Sequence, residues 1–240
     1  MAEELGRIEK MPVEDYKKGR KLYFIPIIYA GNETPKEYLE KVTKYWEQVK
    51  KQLDDLESKL GMVNKLYHEL IPASGDEGCN TIKELSEKSH ELIKNCMEKG
   101  AHLEALEDAE ILSEFMDWNR CLLIGLQSPK VMNQVYESYN EVGKKRNESM
   151  ARKLDETLQS DEIGILFMRE NHQVQFPSDI QVFYVAPPAL DEIKRWLRER
   201  EQQPAKPTEK ESEEKGPEEK KRAEKKSRGK KPKEKESGGK

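Results

Sequence analysis

The chain has 240 residues, 38% of them charged and 35% apolar, with a formal net charge of −4; that length suits one ordinary domain plus an appendage. No run of about 18 apolar residues suggests a membrane span, and no amino-terminal stretch has the basic, apolar and small-residue order of a signal peptide. Cys79, Cys96 and Cys121 are odd in number and widely spaced, which excludes a disulfide framework or zinc ribbon and implies a reduced, cytoplasmic setting.

The polarity is unevenly distributed. Residues 201–240 hold 14 Lys and Arg, 10 Asp and Glu, and no Val, Ile, Leu, Met or aromatic side chain. With no apolar surface to bury, that segment is predicted to be a disordered Lys/Glu-rich tail. Residues 1–20 read as a mobile leader, which leaves 21–200 as a single domain with a net charge of −8.

Leu22–Tyr29 is the first β signal, and Pro26 within it predicts an edge strand or a bulge. Ala30-Gly31-Asn32 turns the chain, with Thr34 expected as N-cap and Pro35 as the first helical residue. Leu39, Val42, Trp46, Val49, Leu53, Leu56 and Leu60 then draw one helical stripe that Gly61 ends.

Val63–Ile71 reads as a second strand, and residues 74–78 as a loop. A helix is expected over Thr81–Glu98, stopped by Gly100, with a short third strand at Ala101–Leu106. Two helices follow, at Ala109–Leu126 and Val131–Leu158. Cys96 and Cys121 fall on apolar helical faces and are expected to be buried thiols.

Ile163–His172 packs five apolar residues almost unbroken before a polar tip, the pattern of a strand buried on both faces. Ile180–Val185 reads as a last strand and Leu190–Leu197 as a short helix. Strands alternating with helices predict a helix-rich α/β domain: a small, mainly parallel sheet of about four to five strands with helices on both faces.

Candidate site residues follow from that architecture, because ligands bind at the carboxyl ends of parallel strands. Arg146 interrupts the stripe Val131, Val135, Tyr139, Val142, Met150, Leu154 on the long helix, so its guanidinium faces inward and needs a carboxylate, a carbonyl or a ligand anion. His172 sits where the buried strand emerges, beside Arg169, Glu170 and Asn171. His68 and Glu69 end the second strand, and Glu107-Asp108 follow the third. If the strands are parallel, Glu69, Arg146 and His172 converge, with Asp108 as a further candidate. No zinc-protease, phosphate-loop, nucleophile-elbow or dinucleotide motif is complete.

The segment from Lys145-Arg146-Asn147 through Met150-Ala151 to Gly164-Ile165-Leu166-Phe167-Met168 and His172 resembles the closing portion of the TraB/Tiki/erythromycin-esterase-like superfamily. The resemblance covers about 30 residues. It implies an α/β fold in which the Arg and the late His meet a carboxylate from an earlier strand, in a hydrolase-type site with a divalent metal. Two departures point to an altered relative: the first strand ends in Tyr29-Ala30-Gly31 without a histidine, and Arg169 stands where a glycine is expected. The second functional expectation is a non-catalytic binding protein. In it the last twenty residues, with ten basic and three acidic side chains, contact nucleic acid, ribosome or another anionic surface.

Overall fold

Ile163–Met168 takes the centre of the sheet, and its sequence explains why: five apolar side chains and a glycine suit a strand covered on both faces and paired on both edges. The computed structural model describes residues 18–31 and 34–201. In chain order the elements are β1 (Lys21–Pro26), α1 (Lys36–Leu60), β2 (Lys65–His68), α2 (Gly75–Leu85), α3 (Glu87–Glu98), β3 (His102–Leu103), α4 (Ala109–Leu123), α5 (Pro129–Thr157), β4 (Ile163–Met168), β5 (Gln181–Tyr184) and α6 (Pro188–Glu201). The chain divides into two units after Trp196. Of the second, only the end of α6 is described. Most of the leader and tail expected at 1–20 and 201–240 lies outside the described residues, as does Asn32 of the first turn.

The five strands are all parallel, in the order β3-β2-β4-β1-β5. Strand parity sorts the core into two layers. Tyr23, Ile25, Leu66, Ile165 and Phe167 point toward α1, α2, α3 and α6. Leu22, Phe24, Tyr67, Leu166 and Met168 point the other way, where α5 covers them with Met150 and Leu154. Gly164 sits in the second layer at a close approach: a Cβ there would lie 3.1 Å from both Leu22 Cδ1 and Tyr67 Cε2, which would have to give by a few tenths of an ångström.

Pro26 does not put β1 at an edge; β1 lies between β4 and β5. The amide of Ile27 donates to Met168 O at 3.1 Å, so the nitrogen of Pro26 faces the β5 side. Pairing with β5 has already ended at Phe24 and Tyr184, and the missing N–H costs no ladder bond.

Other expectations shift for local reasons. Pro35, not Thr34, is the N-cap of α1, without a side-chain capping bond. Leu39 is exposed, and Tyr38 and Tyr45 are buried in the stripe instead. β2 is shorter than Val63–Ile71 because Leu70 adopts a left-handed backbone with φ 67°. The helix expected over Thr81–Glu98 is two helices, broken at Ser86, whose hydroxyl caps α3 by accepting from the Ser89 amide. Residues 75–78 form the first turn of α2 rather than a loop. The three cysteines are free; Cys79 and Cys96 are buried, but Cys121 is only half-buried on α4.

At the amino edge of the sheet, Arg20 fastens the start of β1. It binds Asp179 with two nitrogens at 2.6 and 2.8 Å, Asp155 at 2.7 Å, and the carbonyls of Asp155 and Leu158. The C-terminus of α5 is thereby tied to that edge, and its N-terminal half runs out past the carboxyl edge. At 29 residues α5 is about 43 Å long, roughly twice the span of a six-residue strand.

Candidate functional site

A cleft of about 280 Å³ opens between α5 and the carboxyl ends of β2 and β4. Glu69, Arg146 and His172 all line it, with Arg169, Asn147 and Gly143. The three residues expected from the sequence therefore share one cavity, at the edge where parallel sheets place their ligands.

Strand parity separates His68 from Glu69. His68 turns toward α3, stacked against Phe167 with ring centroids 5.8 Å apart. Its Nδ1 bonds Glu69 O at 2.6 Å; a carbonyl only accepts, so Nδ1 carries the proton, and Nε2 lies 3.3 Å from the Ser89 hydroxyl. Burial pushes its pKa down to about 4. His68 is a satisfied core histidine, not a cleft residue.

Glu69, one residue on, faces the cleft side with its side chain only 4% exposed. Arg169 Nε approaches it at 3.1 Å, and the Tyr29 hydroxyl donates to Oε1 at 3.4 Å. Arg169 itself is half exposed, on the tip of β4. Glu170 beside it points away, binding Tyr184 and Lys194.

The inward guanidinium of Arg146 finds its carboxylate in Glu107, through Nε at 2.9 Å and through Nη2. Both side chains are buried, and the Arg146 guanidinium lies 4.8 Å from the centre of the Phe115 ring. Glu107 Oε1 also accepts from the Leu70 amide at 2.9 Å. One carboxylate thus fixes α5 and the left-handed turn that follows Glu69. Asp108, the acid considered alongside, caps α4 instead by accepting from the amides of Glu110 and Ile111. Glu107 was legible as a partner only through the need of a core-facing arginine for an acid.

His172 is held between Phe24 and Phe176, with centroids 5.0 and 5.3 Å away. Its Nδ1 is buried and has no hydrogen-bond partner among the described residues. Burial lowers its pKa below the usual imidazole range, so the ring is neutral at neutral pH. A neutral imidazole in a polar cleft can accept or donate one proton.

The residues do not fit the divalent metal that the resemblance implies. Among the described residues no group of three or more His, Cys, Asp or Glu side chains is placed to hold one. The lone pairs of Glu107 serve Arg146 and Leu70, Glu69 is paired with Arg169, and His68 faces the opposite layer.

A second cavity, about 290 Å³, lies between α1 and α3 over Trp46, Leu53 and Cys96. Burial pushes the Cys96 thiol up to about 11, so it stays protonated and is no nucleophile. Comparison with protein-family models, with curated proteins and with solved structures finds no match to the chain.

Proposed function

We propose that the carboxyl-edge cleft is a ligand site of hydrolase type, in an altered relative of the TraB/Tiki/erythromycin-esterase-like superfamily. One observation carries this reading: Glu69, Arg146 and His172, from three distant parts of the chain, line a single cleft. Arg169 engages Glu69 through Nε but is half exposed at the cleft, which leaves it able to meet a ligand with a strongly polar group. His172 is the proton acceptor: its neutral ring takes a proton from a water attacking an ester or amide carbonyl. Arg169 draws in the polar group, and the Arg146–Glu107 pair keeps α5 at its distance from the sheet. Three free cysteines support a reduced, cytoplasmic setting.

The test uses p-nitrophenyl acetate with the full chain, His172→Ala and Arg169→Gln. A rate that falls at least about 100-fold in His172→Ala, with its melting temperature retained, supports the base role. An unchanged rate in that variant rejects it.

A second reading rests on the last twenty residues, with their ten basic and three acidic side chains. In it the chain is a binding protein that holds RNA or another anionic surface through this segment. A salt titration of RNA binding, with and without residues 201–240, tests it; binding that survives the truncation rejects it.

A further inference from the structure

The charges on the walls of the carboxyl-edge cleft are answered from within the chain. Arg146 is bound to Glu107, Arg169 meets Glu69 at 3.1 Å, and Lys144 lies 3.8 Å from Glu148. What the cleft presents free is a set of carboxamides: Asn140, Asn147, Asn171 and Gln173 all line it. None of these four side chains is bonded to another described residue. They come from both walls. Successive residues of a helix are about 100° apart, so Asn140, Gly143 and Asn147 fall within about 60° on one face of α5. The two asparagines stand about 10 Å apart along the axis, and Gly143 puts no side chain between them. Asn171 and Gln173 follow β4 on the sheet-side wall, both exposed, on either side of His172. Tyr139, stacked on Phe115 with ring centroids 5.0 Å apart, adds aromatic carbon to the same cavity.

We propose that the cleft receives an uncharged, hydroxyl-rich ring, the chemistry of a neutral sugar. This inference rests on the reading of the cleft as a ligand site and adds its substrate class. Three features choose this occupant. A carboxamide sets donors and an acceptor side by side, and a hydroxyl both donates and accepts, so neighbouring hydroxyls engage one Asn or Gln through two bonds. A carboxylate placed on Arg169 would stand against that of Glu69, and an ammonium would stand against the guanidinium itself. A hydroxyl meets neither opposition. The Phe115–Tyr139 pair offers an apolar surface to the carbon–hydrogen face of such a ring. At about 280 Å³ the cavity stands at the small end of ligand pockets, which suits one ring rather than a chain.

The experiment titrates the full chain with methyl glucoside and methyl galactoside, with glucuronate and galacturonate, and with N-acetylglycinamide. Binding is followed by the side-chain amide resonances of Asn and Gln, in wild type and the double variant Asn140→Ala/Asn171→Ala. That variant removes one carboxamide from each wall; both side chains are exposed, so it folds, which its melting temperature checks. The expected result is saturable shifts with at least one glycoside, at least tenfold tighter than with its uronate, and weakened at least tenfold in the double variant. Glycosides that move no resonance, while p-nitrophenyl acetate hydrolysis still depends on His172, overturn the sugar assignment and leave the cleft reading intact. Loss of both signals overturns both. Uronates that bind as tightly as the glycosides, or glycoside binding that survives the double substitution, overturn the proposal. N-acetylglycinamide binding tighter than either glycoside assigns the cleft to a peptide group and overturns it as well.

Discussion

Arg146 on α5 and Glu107 ahead of α4 form a two-pronged buried ion pair, and the same carboxylate holds the amide of Leu70. Three segments that carry the cleft are therefore registered by one acid. The arrangement meets the demand that buried charges be paired and hydrogen-bonded.

The pair predicts an asymmetry between single and double replacement. Arg146→Met leaves Glu107 buried without its cation and costs about 3–5 kcal/mol. Arg146→Met combined with Glu107→Leu falls within about 2 kcal/mol of wild type, because no uncompensated charge remains. Urea denaturation at pH 7 measures both. A single variant as stable as the double would show that the pair does not lock the cleft.

His68 makes stability depend on pH in a stated direction. Its pKa is about 4 in the folded chain and about 6.5 unfolded, so the unfolded state binds the extra proton between those values. Stability is fully present above pH 6.5 and declines as the pH falls toward 4, by about 3 kcal/mol in all. His172, also lowered by burial, adds to the same slope. His68→Gln removes most of it, measured as the midpoint of urea unfolding at pH 7 and pH 4.5.

Gly78 on α2 tolerates no side chain. A Cβ there would lie 2.4 Å from the carbonyl oxygen of Ala73 and 3.0 Å from Leu103 Cδ2. Gly78→Ala is expected to destabilise the chain by about 1–3 kcal/mol. It also displaces the β2–α2 connection that begins at Glu69, which amide shifts of residues 69–73 would report. Thermal unfolding unchanged from wild type would show that the helix relaxes freely.

The parts of the fold legible in the sequence were those written by hydrophobic period. The run at Ile163–Met168 and the stripe on α1 placed a central strand and a long helix, and strand-helix alternation implied parallel pairing. The break at Ser86 was hidden because the apolar residues on either side keep a helical rhythm, while the cap is a local hydrogen bond. Arg20 was lost in a charged leader, since its partners Asp155 and Asp179 are distant in the chain. In the site, Arg146 stood out as a charge on an apolar stripe, and His172 and Glu69 as polar ends of strands. Glu107 was overshadowed by Asp108 because adjacent acids look alike until the backbone decides which one turns inward. The exposed reach of α5 past the sheet could not be read, because Val131 keeps the period of the core stripe and yet is exposed.

The most direct test of His172 as the working base is the pH–rate profile of p-nitrophenyl acetate hydrolysis from pH 5 to 8, in wild type and His172→Gln. The neutral imidazole is the active form, so the wild-type rate should be level near pH 7 and fall through a midpoint below 6.5. The variant should lose both the rate and the inflection. A flat wild-type profile, or one that His172→Gln leaves unchanged, would contradict the assignment.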